Sequence, residues 1–261
     1  MQDIQIKDLS FSYEKGSKLI LKDISVEINA GEFVCILGQS GCGKSTLLRL
    51  LAGLEKPTEG ELLINGEPIK GASLKRGVVF QDYGLFPWMT AGENILLALK
   101  QCFPNKEKTE LQQLALDMIK AVGLDEAVYK KLPKELSGGM KQRCAIAQAF
   151  GMNPPILLMD EPFGALDAVT RARLQDLVLE LWKKDETKKT VFFVTHDVDE
   201  ALLLSNRILV LGQSPSNVIY DCSIPEDKRP TRESLFENPE VLKLRNTLIQ
   251  QINKDVATHI V

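Results

Sequence analysis

The feature that most constrains this chain is a glycine-rich turn between an apolar run and a segment with helical spacing. The apolar run, Glu32 to Leu37, is long enough for a buried strand and too short for a helix. The segment from Ser45 to Leu54 carries leucines at helical spacing. The turn fits the pattern G-x-x-x-x-G-K-[ST] with Gly38, Gln39, Ser40, Gly41, Cys42, Gly43, Lys44, Ser45 and Thr46. Strand, glycine turn and helix in this order predict a phosphate-binding loop (P-loop) rather than an ordinary turn.

The residue types in the turn indicate the chemistry of its ligand. Glycines allow backbone N–H groups to point inward around phosphates, and the following helix N-terminus adds positive potential. Lys44 is expected to reach the β and γ phosphates, and the Ser45 hydroxyl to ligate Mg²⁺. We therefore expect ATP and Mg²⁺ as cofactors.

A second candidate element is the apolar run Ile156 to Met159, which ends in Asp160 and Glu161. Acidic residues at a strand end are commonly no more than solvated caps. Beside a P-loop, however, the aspartate at this place holds the Mg²⁺ shell, and Glu161 would polarise the attacking water. We expect Asp160 to be a metal residue and Glu161 to be catalytic.

Composition narrows the class of protein. The 261 residues are 44% hydrophobic and 26% charged, as in soluble globular proteins, and the net charge of −3 argues against a protein devoted to nucleic acid. The start, Met1 to Asp8, lacks a signal-peptide pattern, and no apolar stretch approaches the ~18 residues that span a bilayer. Five scattered cysteines suggest free thiols, and two histidines exclude a His-rich metal centre. These features predict a cytoplasmic protein whose membrane association is peripheral.

Hydrophobic periodicity predicts an α/β fold. Alternation at Leu9, Phe11 and Tyr13, and again from Ile24 to Ile28, favours antiparallel strands. Helical spacing recurs from Thr109 to Val122 and from about Pro239 to Ile252. The helical segment Ala168 to Lys184 lies between apolar runs at 156–159 and 191–194, which is the order of a βαβ unit.

The predicted fold is therefore a P-loop NTPase core, RecA-like, with a mostly parallel sheet, an antiparallel β subdomain and an inserted α-helical subdomain. We assign residues 1–89 to the antiparallel β subdomain and the P-loop part of the core. Residues 90–152 form the helical insert, and residues 153–222 the remainder of the core. Residues 223–261 form a C-terminal tail with an amphipathic helix.

The segment Leu136 to Arg143, Leu-Ser-Gly-Gly-Met-Lys-Gln-Arg, lies between the P-loop and the acidic pair. Its composition alone fits a plain helix N-cap at Ser137. In this position it resembles the signature motif of the nucleotide-binding subunits of ABC transporters. That resemblance implies that Ser137, Gly138 and Gly139 contact the γ phosphate bound to the opposite subunit of a head-to-tail homodimer. The commonest family form has Gln where this chain has Met140, and we expect activity to survive that departure.

Other positions also match the family. Tyr13 resembles the aromatic residue that stacks on adenine, although it would otherwise be read as a core residue. Gln81 resembles the glutamine that contacts Mg²⁺ and the attacking water. His196 resembles the switch histidine that contacts the γ phosphate, where a lone histidine at a strand end is more often structural. The loop Gly164 to Asp167 resembles the one that crosses the dimer interface.

The segment Leu85 to Thr90 lies where the family's membrane subunits dock a short coupling helix, unless Phe86 and Trp88 merely pack a join between subdomains. Its Phe-Pro-Trp form, together with Pro162 to Asp167 and the tail segment Arg229 to Arg232, resembles importers of the nitrate, sulfonate, taurine and bicarbonate group. Related importers also carry pyrimidine vitamin precursors or other small anions. The resemblance implies integral membrane permease subunits, an external solute-binding protein and a place at the cytoplasmic face of the membrane. One alternative is a soluble, non-transport ABC-type ATPase. Another is a kinase or GTPase, which would share only the P-loop.

Overall fold

The computed structural model describes residues 3–14, 18–164, 166–184 and 188–259. The strands in chain order are β1 (Ile4–Phe11), β2 (Leu21–Ile28), β3 (Phe33–Leu37), β4 (Glu59–Ile64), β5 (Glu67–Pro68), β6 (Arg76–Val79), β7 (Ile156–Asp160), β8 (Thr190–Thr195), β9 (Arg207–Leu211) and β10 (Val218–Ser223). The helices are α1 (Lys44–Ala52), α2 (Ala91–Cys102), α3 (Lys108–Ala121), α4 (Gly138–Gly151), α5 (Ala168–Lys184), α6 (Val198–Leu204), α7 (Ser234–Glu237) and α8 (Pro239–His259). The chain divides into two compact units, Met1–Ser73 with Thr187–Val261, and Leu74–Glu186.

The first unit contains two sets of paired strands. The order β2-β1-β4-β5 forms an antiparallel sheet, and β10-β9-β3-β8 is the order of the second set. In that second set β3 pairs in parallel with both β8 and β9, while β10 is antiparallel to β9. Every residue of β3 and β8 is buried, which explains their continuous apolar sequence.

The antiparallel opening predicted from alternation is confirmed by the pairing of β1 with β2. The alternation does not extend to Tyr13, because β1 ends at Phe11 and its register shifts between Ile6 and Phe11. Leu9, Ser10 and Phe11 are buried in succession there, as expected when a bulge interrupts the two-residue period. Tyr13 lies beyond the strand and is 54% exposed, so it is not a core residue.

In its described residues, the second unit combines a parallel strand pair with four α-helices. β6 and β7 pair in parallel, with Val79 opposite Met159 at their carboxyl ends. Helices α2, α3 and α4 pack on one another, and a small core of Ala91, Val128, Leu136 and Cys144 lies among them. The expected α/β class, with parallel pairing, antiparallel strands and a helical segment, is confirmed.

The predicted helices are present with small differences at their ends. α1 ends at Ala52 because Gly53 adopts a left-handed C-cap, and α5 has the predicted bounds. α8 continues seven residues past the predicted end at Ile252, since the following residues include neither Gly nor Pro. Within the described ranges, no helix combines the length and the apolar character that crossing a bilayer requires.

Candidate active site

The glycine turn follows directly from β3 and begins α1, as its spacing predicts. Gly43 has φ 100°, a left-handed conformation that favours glycine, and it is the N-cap of α1. A Cβ on Gly38 would lie 2.9 Å from the Leu211 carbonyl oxygen, so the backbone approach there also requires glycine. Gln39, Ser40 and Gly41 are exposed at the tip. The turn thus has an exposed tip directly before a helix N-terminus, an arrangement that suits phosphate binding.

Lys44 is only 5% exposed although it carries a charge. Its Nζ donates hydrogen bonds to the carbonyl oxygens of Gly38 at 2.9 Å and Gln39 at 2.8 Å. These two bonds compensate for part of the cost of burying the ammonium group. The ammonium group of Lys44 therefore lies against the backbone of the glycine turn, at the place where phosphates are expected to bind.

Two more predicted residues lie in the same unit. The Tyr13 hydroxyl lies 3.2 Å from Thr46 Oγ1, and its ring packs edge-on against Phe11 with centroids 5.0 Å apart. The Tyr13 side chain, which is 54% exposed, thus lies beside α1. His196 is exposed in the short link between β8 and α6. Asp197, the next residue, caps α6 by accepting hydrogen bonds from the N–H groups of Asp199 and Glu200.

The acidic pair and Gln81 meet at one edge of the second unit. Asp160 ends β7 and is 9% exposed, whereas Glu161 begins the following loop. Because β6 and β7 are parallel, Gln81 follows the adjacent strand at the same edge, and its Nε2 donates to Glu161 Oε2 at 3.4 Å. Glu161 has φ 44°, a strained conformation for a non-glycine residue that is typical of functional positions.

The signature segment forms the start of α4. Ser137 is its N-cap, and its Oγ accepts a hydrogen bond from Met140 N at 3.3 Å. Ser137 and Gly138 are exposed, and the first turn carries no acidic side chain among these described residues. The exposed N-terminus of a 14-residue helix is therefore open to an anion.

The structure gives a physical reason for Met140, the departure from the commonest family form. Met140 packs against the small core formed by Ala91, Val128, Leu136 and Cys144. Methionine adapts well to such an irregular apolar surface. The residue therefore serves packing of the helical segment, while Ser137, Gly138 and Gly139 keep their places at the helix start.

The loop after the acidic pair is partly described, since Ala165 lies outside the described residues. Gly164 N donates to the Glu161 carbonyl oxygen at 3.2 Å. Asp167 Oδ1 accepts hydrogen bonds from the N–H groups of Val169 and Thr170, and bonding to Thr170 lowers the pKa of Asp167. The Asp167 carboxylate is thereby tied to the start of α5.

Sequence reasoning did not identify Asn94, which positions the Phe86–Thr90 segment. Asn94 is 1% exposed, and its Oδ1 accepts from Phe86 N at 2.8 Å. Its Nδ2 lies within 3.2 Å of the carbonyl oxygens of Phe86, Met89 and Thr90. The available signal was a polar residue on the apolar face of α2. Phe86 and Trp88 are 42% and 73% exposed, with ring centroids 5.3 Å apart, so they do not form a buried join.

Known proteins with similar sequences are ATP-binding proteins of transporters. Residues 21–164 match the ABC transporter family. The chain is 43% identical over 237 residues to the nitrate import ATP-binding protein NrtD of Synechococcus elongatus, covering 90% of this chain and 85% of the relative. It is 41% identical over 233 residues to the bicarbonate transport ATP-binding protein CmpD of Synechocystis sp., covering 89% and 82%.

The fold is similar to that of a solved ATP-binding cassette. The ATP-binding cassette MJ0796, in a dimeric post-hydrolysis state bound to ADP and Pi, superimposes with a TM-score of 0.76 at 35% identity. The match covers 85% of this chain and 98% of that chain. The α/β fold predicted from the sequence is therefore confirmed.

Proposed function

The chain belongs to the ABC transporter family of ATP-binding proteins, and from that premise we propose that it hydrolyses ATP to energise an importer of a small anion. The observation that supports the anion is the identity of 43% to a nitrate import protein and of 41% to a bicarbonate transport protein, each over about nine-tenths of this chain. Sulfonates and taurine belong to the same group of candidate solutes. The ATPase itself would not contact the solute.

In this proposal the glycine turn binds the phosphates of ATP. Backbone N–H groups from Gly38 to Thr46 surround the phosphates, and Lys44 exchanges its bonds to the Gly38 and Gln39 carbonyl oxygens for bonds to the β and γ phosphates. The Tyr13 ring, half exposed next to Thr46, stacks on the adenine. The exposed tip of the turn supports this assignment.

The side chains that the family resemblance assigns to Mg²⁺ carry oxygen donors. Ser45, Asp160 and Gln81 would supply hydroxyl, carboxylate and amide oxygens, the hard donors that Mg²⁺ prefers. Mg²⁺, when bound, would neutralise charge on the phosphates. The near-complete burial of Asp160 keeps its carboxylate in place at the end of β7.

We assign the hydrolytic step to Glu161, Gln81 and His196. The Glu161 carboxylate accepts a hydrogen bond from the attacking water and polarises it, and the Gln81 amide next to it orients that water. His196 contacts the γ phosphate from the link between β8 and α6. These three residues form the proposed catalytic set.

We further propose that the competent state is a head-to-tail homodimer. Ser137, Gly138 and Gly139 would contact the γ phosphate held by the partner subunit, using the exposed N-terminus of α4. The dimeric state of the solved MJ0796 cassettes supports this arrangement. Two ATP molecules would close the dimer, and hydrolysis would reopen it.

The proposed docking surface for the membrane permease subunit consists of Phe86, Trp88 and the cavity beside them. That cavity, of about 540 Å³, includes Trp88, Leu97 and Tyr129 in its walls, with Lys100, Lys108 and Lys130 among its charged residues. Asn94 fixes the backbone that presents the two exposed rings. An apolar cytoplasmic segment with acidic side chains fits this surface.

The proposed importer function also implies an extracellular partner and a location for this chain. An external solute-binding protein would deliver the anion to the permease, while this chain stays peripheral at the cytoplasmic face. The net charge of −3 supports the absence of nucleic acid from the partners.

Uptake of labelled anions by cells that lack the gene for this chain tests the function. We expect wild-type protein, but not the Glu161→Gln variant, to restore accumulation of nitrate, bicarbonate or a sulfonate such as taurine. Equal uptake of all these solutes with and without the wild-type protein would contradict the proposal.

A further inference from the structure

We propose that the C-terminal helix α8 contains two positioning residues for ATP binding and hydrolysis, Asp255 and Arg245. Asp255 would act on the phosphate-binding loop, and Arg245 on the segment that follows His196. The inference rests on the ATPase function proposed above and adds residues from a tail to which no role has been assigned.

The phosphate-binding loop lies against the turn between β9 and β10. The Gln213 side chain in this turn donates from Nε2 to Gln39 Oε1 at 2.9 Å. Ser216, which is fully buried, places its Oγ against the carbonyl oxygens of both Cys42 and Gly212. Gln39 and Cys42 are both part of the loop, so the turn supports the loop at two points.

Asp255 of α8 forms a hydrogen bond with the turn between β9 and β10. Its Oδ2 accepts a hydrogen bond from Gln213 N at 2.6 Å. Its Oδ1 lies so near Gly212 that a Cβ there would come within 2.9 Å of it. A carboxylate that accepts a backbone N–H forms a charge-assisted bond, stronger than a neutral one. The chain of contacts therefore runs from Asp255 through Gln213 to Gln39.

Arg245 lies nearer the start of α8 and reaches the other part of the site. Its Nε and Nη2 donate to the two carboxylate oxygens of Asp199 at 2.6 and 3.3 Å, a bidentate geometry. Asp199 lies in the first turn of α6, three residues after His196. The hydrogen bond that Arg245 donates to Asp199 also raises the pKa of Arg245, so the guanidinium stays charged.

The residues beside His196 are themselves fixed. Thr195 Oγ1 donates to Glu200 Oε2 at 2.6 Å and accepts from Asp197 N at 3.1 Å. The link that carries His196 is thus anchored at the end of β8 and at the start of α6. Through Asp199, Arg245 connects α8 to the start of α6.

The two contacts predict separate kinetic effects. Loss of Asp255 loosens the loop that binds phosphates and should weaken ATP binding. Loss of Arg245 leaves the loop intact but shifts the segment of His196, which should lower turnover at saturating ATP. A merely structural role of α8 would lower thermal stability without separating these two constants.

The test measures the ATP Kd and the kcat at saturating Mg²⁺-ATP in the full-length chain. We expect Asp255→Ala and Gln213→Ala each to raise the Kd about three- to tenfold with kcat within about twofold of wild type. Asp255→Asn keeps an acceptor oxygen and should restore the Kd to within about twofold. Arg245→Met, which keeps the aliphatic stem, should lower kcat about three- to tenfold without raising the Kd.

Matched controls on the same helix are Lys254→Ala and Lys243→Met, since both lysines are exposed. Both controls should behave as wild type. If Asp255→Ala does not fold, Gln213→Ala tests the same chain of contacts. It removes the half-buried side chain that bonds to Gln39 and keeps the backbone N–H that bonds to Asp255.

Unchanged Kd in Asp255→Ala or Gln213→Ala, or unchanged kcat in Arg245→Met, would overturn the corresponding role. Equal changes of Kd and kcat in all three, together with a lower melting temperature, would overturn both. A wild-type chain that binds ATP but never hydrolyses it, even with its membrane partner, would instead contradict the proposed function, while the Kd comparison would still test Asp255.

Discussion

The Gln81 side-chain amide lies 3.4 Å from the Glu161 carboxylate, although 80 residues separate them in the chain. The parallel pairing of β6 with β7 brings the carboxyl ends of both strands to one edge and explains this approach. Both residues are assigned to the attacking water. The contact therefore places the proposed general base beside the proposed orienting group.

Replacing Glu161 by Gln removes the negative charge that polarises the water while keeping the side-chain shape. We expect hydrolysis to fall by about 10²- to 10⁴-fold, because that is the usual contribution of a general base. ATP should still bind, so that the variant accumulates as an ATP-bound dimer. Phosphate release and size-exclusion chromatography with Mg²⁺-ATP measure the two effects.

Lys44→Ala is the contrasting variant, since it should weaken ATP binding and so give neither turnover nor a trapped dimer. A Glu161→Gln protein that turns over at the wild-type rate would contradict the catalytic assignment. One that remains monomeric with saturating Mg²⁺-ATP and its membrane partner would contradict the dimer mechanism.

Ser137→Arg tests whether the start of α4 acts on ATP. The large side chain should prevent contact with the partner's γ phosphate, and we expect ATPase activity to fall about a hundredfold or more. ATP affinity of the separate subunit should change little. Ser137→Thr is the control, since its hydroxyl can still accept the bond from Met140 N. Retained activity in Ser137→Arg would contradict the proposed contact between the start of α4 and the partner's γ phosphate.

Trp88→Ala tests the docking surface. Because Trp88 is 73% exposed, its removal should not affect folding, yet an aromatic anchor in an interface commonly contributes about 2 kcal/mol or more. We expect co-purification of the permease to drop sharply and the ATP Kd to stay unchanged. Phe236→Ala is a matched control, since Phe236 is 61% exposed on α7. Equal recovery of permease with both variants would exclude Trp88 from the interface.

The buried thiol of Cys144 should make the free energy of unfolding decrease as pH rises in the alkaline range. Burial raises the pKa of the Cys144 thiol to about 12, whereas an unfolded cysteine has a pKa of about 8.5. Above that lower value the unfolded chain binds fewer protons than the native chain, so stability falls as pH rises toward 12. Between pH 7 and pH 10 the free energy of unfolding should therefore fall by about 1–2 kcal/mol less in Cys144→Ala than in the wild type.

Urea unfolding under reducing conditions at the two pH values measures this difference. The comparison of the two proteins removes the contribution of the other titrating groups. The same pH dependence in both would show that the Cys144 thiolate is not penalised by the core around it.

Local patterns predicted much of this molecule. The strand, glycine turn and helix around Lys44 were readable because each has a strong short-range signature, and the same is true of β7 with its acidic end. The approach of Gln81 to Glu161 depends on strand order. The sequence indicated it only through the family resemblance.

Other contacts had no local signature. The hydrogen bonds of Asn94 depend on the path of the loop from Phe86 to Thr90. The contact between Gln213 and Asp255 joins a turn to a helix 42 residues later, and no periodicity reports such a pairing. The true end of α8 was missed for a related reason, because its last turns carry few apolar residues that would mark one face.

Purification of the tagged chain from its native membranes in mild detergent tests the central proposal most directly. We expect a multi-span permease to co-purify with it, and mass spectrometry of that partner then leads to its solute-binding protein and solute. Recovery of the chain only from the soluble fraction, alone or with ribosomal or DNA-repair proteins, would contradict the importer and favour a non-transport ATPase.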